Sequence, residues 1–198
     1  MAGGMESTKD TLRRAMRAQR AALGAATLEL ARNHLTACLA GFPPYVEAAV
    51  LVAYLAIGHE VPTDGLIADA LRRGKRVYVP RAADRWFLRY GPTSVLRRDT
   101  AGVPQPDQGE ALEPSERCGI VLVPLLAWTA GGDRLGRGGG WYDRVLPLLA
   151  MPSVGLGYDF QERVHVPTEP SDVRLDYVVT ESRMIDCGAR VLSERRLS

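Results

Sequence analysis

The chain has 198 residues, 46% of them apolar and 24% charged, with a formal net charge of +2, which suits a soluble globular protein with a sizeable core. So small a charge, with basic residues scattered among acids as at Arg97, Arg98 and Asp99, excludes a nucleic-acid-binding stripe. Three dispersed cysteines, Cys38, Cys118 and Cys187, exclude paired metal ligands and a disulfide framework.

The segment from Met5 to Arg20 is charged throughout and reads as no secretory leader. Nor does any stretch reach the roughly eighteen apolar residues of a membrane span. The expectation is a cytoplasmic protein with free thiols and neither a membrane nor a nucleic-acid partner.

In chain order, Lys9 to Leu23 has helical periodicity, with Leu12, Ala15, Met16 and Gln19 on one side. Lys9, Arg13, Arg17 and Arg20 form its basic flank, and Ser7 or Thr8 is the expected cap. A second helix over Ala25 to Leu39 places Leu28, Ala31, Leu35 and Leu39 on one face, with His34 toward solvent. Gly41 and Pro43-Pro44 end it. These helices make an N-terminal helical segment over about residues 7–40.

The period then changes. Ala49 to Leu55 reads as a buried strand, and a helix follows near Thr63 to Arg73, capped by Thr63 or Asp64 and stopped by Gly74. Arg76 to Pro80 and Trp86 to Tyr90 read as strands, and Gly102 to Gln108 as a loop punctuated by Pro and Gly. Gly119 to Pro124 is the clearest buried strand, and short strands are expected at Val154 to Tyr158 and Tyr177 to Thr180. Alternating strands and helices predict one α/β domain over residues 1–198, with a central, mostly parallel sheet between helices. Binding sites of such sheets gather beyond the carboxyl ends of strands, which directs attention to Leu55, Leu125 and Thr180.

Beyond the Gly119 strand runs Gly131-Gly-Asp-Arg-Leu-Gly-Arg-Gly-Gly-Gly-Trp-Tyr-Asp-Arg144. Gly136, Gly138, Gly139 and Gly140 let backbone approach a ligand closely, and Arg134, Arg137 and Arg144 supply forked donors for phosphate oxygens. The stretch lacks the Gly-Lys-Ser/Thr ending of a P-loop and fails the dinucleotide fingerprint at its last glycine. A phosphate site here rests on arginines, open backbone donors and a helix beginning near Tyr142.

Asp143 is by default a helix-start acid. It becomes a magnesium ligand if Asp172, in a Pro/Ser turn near the third strand end, approaches it while phosphates supply other oxygens. Glu60 is either a surface charge on a turn or an acid for a nitrogen-rich ring. His59 and His165 have no partner at zinc-ligand spacing, and Ser153, Ser171 and Ser182 lack a nucleophile elbow.

Over most of its length the chain resembles the 5-formyltetrahydrofolate cyclo-ligase family, also called methenyltetrahydrofolate synthetase. The resemblance rests on Lys9 and Arg13, Ala56-Ile-Gly-His-Glu-Val, Gly102-Val-Pro-Gln-Pro106 and Val123-Pro124. It continues through Arg134-Leu-Gly-Arg-Gly-Gly-Gly-Trp-Tyr-Asp-Arg144, Glu169-Pro-Ser-Asp-Val-Arg-Leu-Asp176 and Val179-Thr-Glu181.

The resemblance implies a three-layer fold and magnesium- and ATP-dependent conversion of 5-formyltetrahydrofolate to 5,10-methenyltetrahydrofolate, with release of ADP and phosphate. It implies nucleotide contacts from Lys9, Arg13, Arg134, Leu135, Gly136, Arg137, Gly138, Gly139 and Gly140. Trp141 and Tyr142 would border both the nucleotide and folate pockets. Glu60 would hold the pterin beside Leu55, Asp143 and Asp172 would hold magnesium, and Arg137, Asp143 and Tyr142 would be the catalytic set.

Three residues depart from the family pattern: Trp141 where tyrosine is usual, Ser171 in place of a frequent histidine, and Thr129 where many members carry an acid. The alternatives are an ATP-using activator of another small amide or carboxylate, and a folate- or nucleotide-binding relative without turnover. The expected assembly is a monomer or weak homodimer.

Overall fold

The computed structural model describes residues 8–188; the expected cap Ser7 lies outside them. Helices α1 (Thr8–Ala21) and α2 (Ala25–Ala40) come first. Pro43 and Pro44 then do more than end α2. They occupy the first turn of a short helix, α3 (Pro43–Glu47), where proline's fixed φ and missing N–H cost little. The chain continues through β1 (Val50–Val52), α4 (Asp64–Arg72), β2 (Arg76–Arg81) and β3 (Trp86–Tyr90). Next come β4 (Leu96–Arg98), β5 (Pro104–Pro106), β6 (Gly119–Pro124), β7 (Ala127–Trp128) and β8 (Arg134–Leu135). Helix α5 (Trp141–Val145) precedes β9 (Ser153–Leu156), β10 (Tyr177–Val179) and β11 (Met184–Asp186).

Seven strands form one sheet in the order β11-β10-β9-β6-β1-β2-β3. Its five central strands are parallel, and β3 and β11 close the edges antiparallel. Both faces are apolar because alternate residues point opposite ways. Leu51, Ile120 and Leu122 pack with Leu35 and Leu39 of α2, Tyr45 of α3 and Leu66 and Ala70 of α4. Val50, Val52, Val121 and Val123 pack on the other face with Val145, Leu146 and Leu149. The mostly parallel α/β sandwich is therefore as expected. From β1 the chain crosses to β2 on one side, then returns to place β6 on the other side of β1. That fork between β1 and β6 opens a crevice at their carboxyl ends.

Several local expectations are corrected. Strand β1 stops at Val52 instead of Leu55, because the Tyr54 carbonyl accepts a 2.6 Å hydrogen bond from Thr63 Oγ1 and the Tyr54 hydroxyl donates to the Val61 carbonyl at 2.9 Å. With its hydroxyl so engaged, Thr63 does not cap α4, and no side chain does. The expected loop at Gly102 to Gln108 contains β5, which pairs antiparallel with β4. His34 is half-buried, its Nδ1 lying 3.0 Å from the Thr180 carbonyl oxygen, because it borders the packed stripe through Leu35.

Helix α1 is rotated relative to its expected face. Met16 is buried and Leu12, Lys9, Arg13 and Arg20 are partly so, while Ala15 and Gln19 are exposed. The physical reason is that α1 does not cover the sheet. Met16 packs on Leu126, Ala127, Leu135 and Val166, around the β7–β8 ribbon, and the cations beside this narrow contact turn toward the crevice.

Candidate active site at the fork of the sheet

The crevice is a cleft of ≈ 490 Å³. Lys9, Arg13 and Arg20 come from α1, Glu60 from the turn after β1, and residues 134–144 from the loop beyond β6; Glu169, Ser171 and Asp172 come from the turn before β10. The fold therefore gathers into one cavity four segments that are distant in sequence. Each reaches it from a strand end or from the helix laid across those ends.

The loop between β7 and Trp141 is held from several sides. Thr129 Oγ1 accepts the Asp133 N–H at 3.1 Å, closing the turn between β7 and β8. Gly132 has φ +87°, and a Cβ there would stand 2.5 Å from the Leu175 carbonyl oxygen. Only glycine allows that approach, which is sealed by the Leu175 N–H donating to the Gly132 carbonyl at 2.9 Å. Arg13 Nε donates to the Gly136 carbonyl at 3.1 Å, Arg17 to the Arg137 carbonyl at 3.2 Å and Arg144 to the Gly139 carbonyl at 2.9 Å. Gly138, at φ +106°, lies directly under the Arg13 guanidinium.

The two proposed metal carboxylates meet through the backbone. Asp143 Oδ1 accepts from Arg134 at 2.7 Å and from the Val173 N–H at 3.1 Å, so it is tied to the residue next to Asp172. Arg134 also donates to the Val173 carbonyl. Asp172 Oδ2 accepts from Lys9 Nζ at 2.8 Å and from the Glu169 N–H at 2.7 Å. Lys9 also pairs with Glu169 at 2.9 Å. Partial burial opposes ionisation of Asp172, but Lys9 and the Glu169 N–H outweigh it and hold the carboxyl below its ordinary range. Lys9 moves up: burial opposes this, and Asp172 and Glu169 prevail.

All these hydrogen bonds fall on one oxygen of each acid. The second oxygen of Asp143 and of Asp172 has no donor among the described residues. Those residues contain no group of three or more His, Cys, Asp or Glu able to hold a metal alone. The donor set thus fits a hard cation that takes further oxygens from phosphate and water, not a self-sufficient protein cage.

Glu60 is not a surface charge. Its side chain is 6% exposed, Oε2 accepts the Ile57 N–H at 3.0 Å, and Oε1 lies 2.8 Å from Arg137. The Trp141 indole N–H and the Tyr142 hydroxyl are buried without a partner among the described residues, although both residues line the cleft. Burial, reinforced by Glu60, raises the Tyr142 phenol far above its ordinary range, so it stays protonated. An unpartnered buried donor beside an open cleft is set to bond whatever enters. Trp141 is further fixed by an edge-to-face contact with Phe87 at 6.1 Å.

Of the residues named from sequence, Lys9, Arg13, Glu60, Asp172 and all of residues 134–144 line this cleft. Leu55 does not; it is half-buried against the core of the α2–α4 side. Two charged lining residues escaped notice as site residues, Arg20 and Glu169. The signal for Arg20 is its place on the basic flank of α1, two helical turns beyond Arg13 and one beyond Met16. Of the three departures, Trp141 and Ser171 face the cleft, while Thr129 serves the β7–β8 turn.

With this geometry in hand, comparison with known proteins is informative. A sequence profile described as the 5-formyltetrahydrofolate cyclo-ligase family matches residues 5–181. The 5-formyltetrahydrofolate cyclo-ligase of Escherichia coli K12 is 36% identical over 153 residues, covering 72% of this chain and 84% of that protein. The Mycolicibacterium smegmatis protein of the same name is 29% identical over 202 residues, covering 90% and 96%. Among solved structures, the Aquifex aeolicus 5,10-methenyltetrahydrofolate synthetase superposes with a TM-score of 0.79 at 24% identity, covering 93% of this chain and 95% of that one. That likeness establishes the fold.

Proposed function

This chain belongs to the 5-formyltetrahydrofolate cyclo-ligase family, and we propose how its cleft performs the ATP-dependent conversion of 5-formyltetrahydrofolate to 5,10-methenyltetrahydrofolate. The observation that carries the reading is the convergence of α1 cations, the glycine-arginine loop and buried Glu60 on one cleft. Phosphate chemistry and recognition of a nitrogen-rich ring then occur side by side.

A formamide carbonyl is a poor electrophile with a poor leaving group. In the proposed sequence its oxygen attacks the γ-phosphorus of ATP and ADP departs, leaving a phosphorylated iminium carbon. N10 of the folate attacks that carbon and loses its proton. The carbon–oxygen bond then breaks and its electron pair leaves with phosphate. This sequence of steps requires no covalent nucleophile on the protein, whose contribution is alignment and charge neutralisation.

Lys9, Arg13, Arg134 and Arg137, with the Gly138 to Gly140 backbone, surround the triphosphate in this reading. Magnesium, held by Asp143 and Asp172 with phosphate oxygens, would neutralise charge on the β- and γ-phosphates. Glu60 accepts hydrogen bonds from the pterin edge. The protonated Tyr142 hydroxyl donates to the oxygen between formyl carbon and phosphorus, and Trp141 packs between the two ligands.

The test is incubation of the purified protein with 5-formyltetrahydrofolate, ATP and magnesium. Near-ultraviolet absorbance of the methenyl product appearing in step with ADP is the expected result. Binding of both ligands without turnover would instead mark a relative that has lost the reaction, and ADP without the methenyl chromophore an activator of some other amide or carboxylate.

A further inference from the structure

Arg20 is the one cation of α1 lining the cleft beside Glu60 that no part of the mechanism above employs. It takes part in no ion pair among the described residues, and its hydrogen bond to the Leu125 carbonyl is long, at 3.5 Å. It borders both the main cleft, with Glu60 and Arg137, and a second hollow of ≈ 370 Å³ with Ile57 and His59. Its guanidinium is largely withdrawn from water and stands in the field of Glu60, opposed by that of Arg137. A mostly buried guanidinium retains its charge, and its donors are costly to leave unused.

The chemistry of the ring supplies a use. Along one edge a reduced pterin presents a 2-amino group and the N3–H, both donors, followed by the 4-oxo oxygen, an acceptor. A carboxylate satisfies the two donors and leaves the oxygen needing a donor at its side. We infer that Arg20 is a specificity-determining residue, donating to the ring 4-oxo group while Glu60 holds the amino and N3–H groups. This rests on the proposed role of Glu60.

Arg137 is the less suitable donor. It belongs to the phosphate loop, its side chain is 40% exposed, and it sits on the Glu60 oxygen that the ring must take. When Arg137 turns to phosphate, Arg20 remains as the cation beside Glu60. The site then reads donor, donor and acceptor with acceptor, acceptor and donor.

The experiment is calorimetric binding, without ATP, of 5-formyltetrahydrofolate and of its analogue carrying an amino group in place of the 4-oxo. Wild type, Arg20→Met, Arg20→Lys and Glu60→Gln are compared, with ADP binding and thermal unfolding measured on each. The expected result is that wild type prefers the oxo ligand tenfold or more. Arg20→Met should weaken the oxo ligand at least tenfold and the amino analogue little, narrowing the preference to the part due to the analogue's missing N3–H at Glu60, while ADP affinity is kept. Arg20→Lys should retain part of the preference.

A purely structural role would weaken both folates and ADP together with thermal stability, and that result overturns the inference. So does an unchanged oxo preference in Arg20→Met while Glu60→Gln loses folate affinity; the Glu60 assignment then stands alone. If Glu60→Gln also binds as wild type does, the pterin assignment falls with it.

Discussion

Arg137 and Glu60 meet across the cleft at 2.8 Å, joining the phosphate loop to the acid assigned to the pterin. Neither side chain can serve its proposed ligand while it holds the other. Nucleotide binding that draws Arg137 onto phosphate therefore releases Glu60 Oε1, so the two sites compete for one contact before they cooperate.

Glu60→Gln keeps the shape of the residue but places a donor against donors of the ring. Folate binding should weaken by about 2–3 kcal/mol, as for a buried polar group left unpaired, and ADP affinity should change little. Titrating each ligand calorimetrically decides it; equal folate affinity in variant and wild type would make Glu60 a structural acid that supports the Ile57 turn.

Arg137→Ala should raise the KM for ATP at least tenfold and leave folate binding without nucleotide less affected. Although the Arg137 side chain is 40% exposed, its partner Glu60 is only 6% exposed, so removing Arg137 strands a buried carboxylate and should cost about 3 kcal/mol of folding stability. Steady-state kinetics and thermal unfolding on one preparation separate the two effects, and unchanged ATP dependence would remove Arg137 from the phosphate site.

Asp172→Asn tests the metal assignment more cleanly than Asp143→Asn. The Arg134 side chain beside Asp143 is 5% exposed, so removing the Asp143 charge strands a buried cation and should cost about 3 kcal/mol or more of stability. Asp172 is paired instead with Lys9, which keeps Glu169 as a second partner. Its Asn variant should fold and need far more magnesium for half-maximal turnover. A magnesium titration matching wild type would strike Asp172 from the ligand set.

The same pair sets a pH window. The Asp172 carboxyl is depressed in the folded protein, so its stabilisation is present above the ordinary carboxylate range and is lost as pH falls through the depressed value. Lys9 is raised, so its contribution is present below the ordinary lysine range and is lost as pH rises through the raised value. Wild type should exceed Asp172→Asn in melting temperature across neutral pH, with the gap closing in acid. A gap independent of pH would mean that the Asn variant is destabilised by something other than the lost charge.

Tyr142→Phe should separate stability from activity. The hydroxyl is buried and unpartnered, so its removal should leave the unliganded protein as stable or more so, by up to about 1–3 kcal/mol. Turnover should fall tenfold or more if that hydroxyl donates to the transferring oxygen. Wild-type turnover in Tyr142→Phe would reduce the residue to a wall of the pocket.

The long-period features of the fold were legible in the sequence. The strand read from Ala49, the Gly119 to Pro124 strand and the face of α2 follow from apolar spacing, although the first strand ends at Val52 and not at Leu55. The β7–β8 ribbon did not show, since strands of two residues have no measurable period and Ala127-Trp128 blends into the apolar run before it. The face of α1 was misread because Ala15 and Gln19 satisfy the period as well as Lys9 and Arg13 do, and only the narrow seat under Met16 decides between them. The glycine-arginine loop stood out as a candidate phosphate site, and it lines the cleft. That Asp172 meets it and that Arg137 closes on Glu60 are consequences of strand order, which no local pattern encodes.

The fork between β1 and β6 also divides responsibility within the protein. In the proposed reading the ring meets Glu60 of the turn after β1, Arg20 of α1 and the Trp141-Tyr142 pair, whereas phosphate is handled by the loop after β6 and the cations at the start of α1. The turn and the loop meet in space at the Arg137–Glu60 contact. Retargeting the acceptor should therefore take changes at Glu60 and Arg20 together, and because Glu60 contacts Arg137 at 2.8 Å, such changes should also be felt in nucleotide binding.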